Sequence, residues 1–392
     1  MNRREFLELA AMLPLMGLAS TSTTAVQAAA GGAATKAART TSPQRILVLI
    51  KLAGGNDGLN TLIPHADPLY YQMRPTIGVL KHQILDIGDG MGMNPYLKTL
   101  LPWWNAGQLA WVQGVGYAHG DLSHFRSSDI WETAVSAQNY SSMGWLGTIL
   151  PGCKAGLHGI AIGDSLGPLA GKDCYSIAMR SPQAFLSQVG LLEDIEPAST
   201  NPALNHLTTI QRQLYSAGQQ LSQKLQRPAA LGVNFASSEI GRDLESVATM
   251  ILSGVDSAVY TVTLGGFDTH SNQPSVQGNL LHHLAGGLDS FARAMQRGGR
   301  WNDVMVVTYS EFGRRVQENH AKGTDHGAAS VQLVMGGRVR GGLYGDKPAL
   351  NQLDNDGNLH YTVDFRSVYG TIAQRWLQQR NPWNQLKTLA LV

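Results

Sequence analysis

The chain is 392 residues long and carries 30 Lys and Arg against 28 Asp and Glu, a formal charge of +2. That even balance, with no basic run interleaved with aromatics, argues against nucleic acid as a partner. Two cysteines, Cys153 and Cys174, are too few for a cysteine-built zinc site; they either pair in an oxidising compartment, which would stabilise the fold by about 3 kcal/mol, or stay as two thiols.

Arg3 and Arg4 precede an apolar stretch from Phe6 to Leu18, interrupted by Glu8 and Pro14. Small residues follow, with a cleavage site expected after Val26-Gln27-Ala28. Residues 1–28 therefore read as a twin-arginine signal peptide, which makes the twin-arginine translocase a partner during export. The expected location is periplasmic or secreted. The apolar core is too short for a membrane span, and no later run is long enough, so no stable span is expected after cleavage. Residues 29–42, rich in Ala, Gly and Thr, read as a disordered linker. Residues 43–392 then form a single α/β domain.

Within that domain Arg45–Leu52 reads as a buried strand of Ile, Leu and Val. Asn94–Asn105 reads as a short helix with Asn94 as N-cap and Pro95 at its first position. Leu109–Gly114 is the next strand. His124–Val135 is helical, capped by Asp121 or Ser123. His158–Ile162 and Tyr175–Met179 are short strands. Asn205–Gln226 and Ser237–Leu252 have helical spacing. Val259–Gly265 is a strand. Gly278–Gln296 is a helix stopped by Arg297-Gly298-Gly299. Asp303–Tyr309 and Ser330–Met335 are strands, and Asp364–Leu377 is a closing helix behind an acidic cap. Strands that alternate with helices predict a largely parallel central sheet covered by helices on both faces. Residues 185–250 break the rhythm and read as a helical insertion.

Four motifs gather acid and histidine side chains: Gly54-Gly55-Asn56-Asp57-Gly58, Gly266-Phe267-Asp268-Thr269-His270, Ser310-Glu311-Phe312-Gly313-Arg314 and Thr324-Asp325-His326-Gly327. Three of them directly follow strand-like runs, and open α/β sheets place ligands outside the carboxyl ends of their strands. Carboxylate oxygen and imidazole nitrogen suit hard or borderline divalent cations. Asp57, Asp268, His270, Glu311, Asp325 and His326 are accordingly the candidate metal ligands. Each motif has a plainer reading as a turn, a cap or a salt bridge. Arg314 is the candidate for holding an oxyanion, because a guanidinium matches phosphate or sulfate geometry. Ser123, in Asp121-Leu122-Ser123-His124-Phe125, is the candidate nucleophile at a helix start, with a plain N-cap as its other reading. His124 is either a ligand or a packed side chain. Gly163-Asp164-Ser165-Leu166 matches the serine block of GDSL esterases, yet it follows rather than precedes the Gly-x-Asn-Asp block, so a metal-independent serine esterase is a minor alternative.

These motifs, with the twin-arginine start, Ser123-His124-Phe125 and Thr362-Val363-Asp364-Phe365-Arg366, resemble the exported bacterial family catalogued as domain of unknown function 1501. The resemblance runs from Ile46 to about Leu377. More distantly, that family resembles the alkaline phosphatase and sulfatase superfamily. The resemblance implies an alkaline-phosphatase-like fold and usually two divalent metals. By order, Asp57 matches the superfamily's first acid and Ser123 its nucleophile. Asp268 and His270 match its acid and histidine motif, Glu311 the acid of the strand-end pair, and His326 the last histidine. Phe312 stands where a ligand histidine is usual, and Asp325 has no fixed counterpart.

The expected function is therefore an exported hydrolase of phosphate or sulfate esters, acting on a small anionic ester with zinc, manganese, calcium or magnesium as cofactor. The alternative is a non-catalytic exported binding or assembly protein on the same fold.

Overall fold

Ile46–Leu52 holds six Ile, Leu and Val residues and a single Lys, a composition suited to a strand buried on both faces. In the computed structural model, which describes residues 45–150, 157–171, 175–195 and 201–392, it forms strand β1. The signal, the linker and both cysteines lie outside the described residues. Arg45–Val392 is one compact unit.

Eight further strands join β1 in one sheet: β2 (Leu109–Gly116), β3 (Gly159–Ile162), β4 (Ser176–Met179), β5 (Val259–Leu264), β6 (Val304–Tyr309), β7 (Ser330–Gly336), β8 (Gly342–Tyr344) and β9 (Val363–Asp364). Their order is β8-β2-β7-β6-β1-β5-β3-β4, with β9 beside β2. β1 lies between β5 and β6, parallel to both, so Leu49 pairs with Thr261 on one side and Val307 on the other. β7 alone runs backwards, antiparallel to both β2 and β6. Its first residue, Ser330, lies opposite Val115 near the end of β2. The start of β7 therefore reaches the edge where β1, β5 and β6 finish.

The principal helices are α1 (His124–Thr133), α2 (Pro182–Val189), α3 (Pro202–Leu225), α4 (Glu239–Leu252), α5 (Gln273–Arg297) and α6 (Phe365–Thr371). On one face, Leu47, Leu49 and Val307 join Ile130 and Trp131 of α1 and Phe365 and Tyr369 of α6 in a single apolar cluster. Trp145 stacks on Tyr369 at 4.2 Å, and Trp131 on Phe365 at 4.4 Å. The alternate residues Val48, Ile50 and Val306 are equally buried, so neither face is open to water. Between β4 and β5 the chain forms α2, α3 and α4, with no strand among the described residues.

The departures from expectation have local causes. The segment from Asn94 is a 3₁₀ run, Pro95–Leu100, followed by a short α-helix, Leu101–Asn105. Pro102 removes an N–H and cannot continue the i→i−4 ladder from the preceding turn. α1 stops two residues early, at Ala134, whose φ of 56° is left-handed. α5 begins five residues earlier than expected, at Gln273, with Pro274 in its first turn. The last helix switches to a π-helical turn, Ile372–Trp376. Asp364 caps α6 as expected and accepts the Arg366 N–H at 2.9 Å.

Tyr369 ties the apolar face together through its ring and through its hydroxyl, which donates to the Trp131 carbonyl at 3.1 Å. Replacing it should separate the two contributions. Tyr369→Phe is expected to cost about 1 kcal/mol and Tyr369→Ala about 3–5 kcal/mol, both read from urea unfolding midpoints.

Candidate metal centre

The site begins with backbone stitching at the carboxyl edge of the sheet. The Ala53 N–H donates to the Leu264 carbonyl, and the Phe267 N–H donates back to the Ala53 carbonyl at 3.0 Å. The loops after β1 and β5 are thereby locked side by side. Gly54 has a φ of 115°, and a Cβ there would sit 2.3 Å from the Asp268 nitrogen, so only glycine fits this close approach. On the other flank, the Ser310 hydroxyl donates to the Leu52 carbonyl at 2.6 Å and accepts the Asn56 N–H at 2.9 Å.

Arg314 passes through the middle of these loops and is only 1% exposed. Its guanidinium donates to the carbonyls of Gly55 at 2.7 Å, Thr324 at 2.9 Å, Phe267 at 3.0 Å and also Gly54. A further bond reaches Asp268 Oδ1 at 2.8 Å. Arg314 is expected from the sequence to hold an oxyanion, but in the structure its guanidinium is turned into the loops. Its hydrogens are committed to four carbonyls and a carboxylate, so it clamps the loops and does not face a ligand.

Asp268 is the hub of the cluster. Its Oδ1 lies 3.0 Å from His270 Nε2 and 3.1 Å from His326 Nε2, and the two imidazole nitrogens are themselves 3.0 Å apart. Its Oδ2 lies 3.3 Å from His124 Nε2. A cation bound at about 2.0–2.2 Å holds its ligand atoms about 3–3.5 Å from one another, so this spacing fits one ion. His124, Asp268 and His326 also converge as a group, with ligand atoms within 4.8 Å of each other.

The protonation of His326 decides what this triangle means. His326 Nδ1 lies 2.8 Å from the Leu122 carbonyl, which can only accept. Nδ1 therefore carries the hydrogen, and in the neutral ring Nε2 turns a bare lone pair towards Asp268 and His270. Burial favours that neutral ring: it is the largest influence on His326 and lowers its pKa, with the Arg314 and His124 charges adding to it, against the Leu122 and Asp268 hydrogen bonds. A lone pair facing a carboxylate oxygen across 3.1 Å repels it unless a positive charge lies between. For Asp268, burial is again the largest influence and pushes the carboxyl up. As pH falls and the His326 ring takes its second proton, hydrogen bonds from Arg314 and His326, with the charges of Arg314 and His270, outweigh it and bring the pKa down to about 2.

Around this core the other candidates take distinct places. Glu311 is buried; its Oε1 accepts the Gly54 N–H at 2.7 Å and lies 3.2 Å from His124 Nδ1. Its Oε2 is buried without a partner, an unpaired acceptor of the kind that an ion or water satisfies. Asp325 is exposed, and its Oδ1 stands 3.5 Å from His270 Nδ1, the nitrogen facing away from the triangle. That position orients the ring and does not join the triangle. Phe312 packs its ring against His326 at 4.2 Å and His124 at 5.0 Å, an apolar wall for both imidazoles. His124, open between ligand and packing from the sequence, here bridges the carboxylates of Glu311 and Asp268. Ser123 is exposed at the N-cap of α1, and its hydroxyl makes no capping bond.

Asp57, expected from the sequence as a ligand, is held by other partners in the structure. Its Oδ1 accepts the Leu59 and Asn60 N–H groups and so caps the turn Gly58–Thr61. Its Oδ2 takes Arg74 Nη1 and Gln273 Nε2, both at 2.5 Å. All its acceptor capacity is used inside a buried network, and none is aimed at the histidines. The esterase alternative fares no better. Asp164 pairs with exposed Arg180 at 2.9 Å, and no hydrogen bond joins Ser165 to a histidine among the described residues.

Residues 237–374 match the family model described as "Protein of unknown function (DUF1501)", which bears out the family resemblance over that stretch. The matched part contains Asp268, His270, Glu311, Asp325 and His326. No curated protein matches the sequence significantly. Among solved structures, the chain is similar to the phosphonate monoester hydrolase SpPMH from Silicibacter pomeroyi, with 12% identity, a TM-score of 0.43 and coverage of 88% of this chain and 76% of that one. It is similar to a protein in the alkaline phosphatase superfamily from Vibrio parahaemolyticus, with 8% identity, a TM-score of 0.37 and coverage of 87% and 68%. It is also similar to the C-terminal periplasmic domain of EcEptC from Escherichia coli, with 9% identity, a TM-score of 0.39 and coverage of 87% and 84%.

Asp57→Asn should leave bound metal unchanged, because both carboxylate oxygens are taken by Leu59, Asn60, Arg74 and Gln273. It should lower unfolding stability by about 3–5 kcal/mol, because buried Arg74 loses its counter-charge. Elemental analysis and urea titration of the same sample read both effects. Asp268 supplies a pH test on chelator-stripped protein. Its folded pKa of about 2 lies below the ordinary 3.8. Its contribution is therefore complete above about pH 4 and is lost as pH falls towards 2. The carboxylate is partly exposed, so the effect is modest. Asp268→Asn should flatten the acid limb of the stability curve in that window.

Proposed function

We propose that this chain is an exported, metal-dependent hydrolase of phosphate or sulfate esters. The observation that carries the reading is the triangle of Asp268 Oδ1, His270 Nε2 and His326 Nε2, with sides of 3.0–3.1 Å, at the carboxyl edge of the sheet. A divalent cation held there would polarise an ester oxygen and lower the pKa of an attacking hydroxyl or water. Asp268, His270 and His326 would hold it, with His124 on the second oxygen of the Asp268 carboxylate. Two or three imidazoles favour zinc over manganese, magnesium and calcium, which prefer oxygen-rich shells. With Asp57 sequestered and Phe312 lacking a lone pair, the donor set supports one cation site.

The chain's own groups then have definite tasks. Glu311 fixes the His124 ring through Nδ1, and the Leu122 carbonyl fixes His326 through Nδ1. Ser123 is the proposed nucleophile: it is exposed and adjacent in sequence to His124, at the N-terminus of α1, where partial positive charge favours its deprotonated form. Because Arg314 is committed to the loops, recognition of the anionic group falls to the cation and to the first N–H groups of α1. Export rests on the Arg3-Arg4 signal. No helix among the described residues is long and apolar enough to cross a membrane.

A second reading, an exported binding or assembly protein, draws support from Phe312, whose ring fills space beside His326 that a further donor would use. Elemental analysis of purified mature protein addresses the metal first. Near-stoichiometric zinc or manganese in the wild type, reduced by about tenfold or more in Asp268→Ala/His326→Ala, is expected. Generic aryl phosphates and aryl sulfates then address catalysis, with Ser123→Ala expected to abolish turnover while retaining the metal. Metal without turnover of any ester would favour the binding protein. A folded wild type that takes up no metal would remove the hydrolase reading.

A further inference from the structure

Apart from the metal centre, the fold holds a cleft of about 300 Å³ between the loop Thr76–Val79 and the first turns of α5. We propose that this cleft is a binding site for a neutral, polyhydroxylated ligand such as a sugar ring, with Tyr96 as its stacking wall. The proposal is independent of the hydrolase reading.

Three observations carry it. The first is size and charge. The volume lies at the lower end of the range for small-molecule sites, and none of the lining residues is charged. An ionic ligand would find no counter-charge there, whereas hydroxyl groups would find amide, hydroxyl and backbone partners. Asn94, Thr76, Gln83 and Ser275 line the walls. Ser275 adds a first-turn N–H, which has no intrahelical carbonyl behind it.

The second is Tyr96, which is 46% exposed although it lines the cleft. Its ring lies directly on Gly278, where a Cβ would come within 2.5 Å of Tyr96 Cε2. A glycine inside a helix costs about 1 kcal/mol relative to alanine. Here the missing side chain leaves room for the ring against the helix, while the tyrosine as a whole stays half exposed. A flat aromatic face beside hydroxyl partners matches the two surfaces of a pyranose, its C–H face and its rim of hydroxyls.

The third is preorganisation. The Tyr96 N–H donates to Asn94 Oδ1 at 3.0 Å, and Asn94 Nδ2 donates to the Asn60 carbonyl at 2.7 Å. Asn60 Nδ2 donates to the Ile77 carbonyl at 2.8 Å, and Tyr70 Oη accepts the Val79 N–H at 2.9 Å. Glu318 accepts the Thr76 N–H at 2.9 Å and the Ile77 N–H at 2.8 Å. The walls are fixed before any ligand arrives, so binding need not pay to order them.

The test uses the full mature protein and a panel of neutral probes, cellobiose, maltose, lactose and N-acetylglucosamine, with glucose 6-phosphate as the charged counterpart. Saturation-transfer NMR screens the panel, and calorimetry measures the best probe. At least one neutral probe is expected to bind at concentrations up to about 10 mM, and more tightly than glucose 6-phosphate. Tyr96→Ala should weaken that binding by about tenfold or more, and Tyr96→Phe should retain it. Gly278→Val, which displaces the ring without removing it, should reproduce the loss. Bound metal in Tyr96→Ala should equal that of the wild type, which separates this site from the metal centre. Absence of binding by every neutral probe, binding unchanged in both Tyr96→Ala and Gly278→Val, or preference for the charged sugar would each overturn the proposal.

Discussion

A buried guanidinium is tolerable only if nearly every hydrogen it carries finds an acceptor, because its hydration is lost and nothing else compensates. Arg314 meets that demand with carbonyls drawn from three loops that are far apart in sequence, after β1, after β5 and before β7. The consequence runs both ways. The loops satisfy the charge, and the charge fixes the relative positions of the loops. Asp268 receives its bond from Arg314, His270 comes from the same loop, and His124 and His326 come from α1 and the loop before β7, so the cluster depends on the loops that this side chain fixes. Lysine would not substitute, since an ammonium has three donors on a flexible stem and no planar fork.

Given that scaffold, the donor set explains itself chemically. Three imidazoles and two carboxylates meet at one edge, and among the described residues no lysine pairs with any of them. The hydrogen bonds that should neutralise such a group are partly missing. Glu311 Oε2 has no donor, and the Nε2 lone pair of His326 faces an anion. In a protein interior such arrangements are costly. A cation bound there would relieve both by supplying positive charge where the hydrogen-bond inventory runs out.

The strands were legible because a sheet covered on both faces demands nearly continuous Ile, Leu and Val, and local composition alone reveals that. The carboxyl-edge motifs were legible for a related reason: glycine-rich turns with acids and histidines directly follow those strands. What escaped was anything set by distant partners. Asp57 looked like a ligand because its neighbours are glycines and asparagines. Its true partners, Arg74 and Gln273, lie 17 and 216 residues away. Arg314 looked available to a substrate because nothing near it in sequence shows that four carbonyls surround it. His124 lay open between two roles until the fold brought Glu311 to one of its nitrogens and Asp268 to the other. Pro102 and the π-helical end of the last helix mark places where a simple period misplaces a boundary.

The reversed strand β7 has a bearing on how the site is assembled. It hydrogen-bonds to β2 on one side and β6 on the other, so it fills a gap between two strands already made earlier in the chain. His326 stands just ahead of it. That imidazole can take its place only once the gap is filled, whereas Asp268 and His270 depend on β5 and its loop. Closure of the sheet and completion of the ligand set are thus one event. A nascent chain that ends before His326, short of about its last sixth, would hold Asp268, Glu311, His124 and His270 at an open edge without the third imidazole. On the proposed metal-binding reading, capture of a cation would report that the sheet has closed.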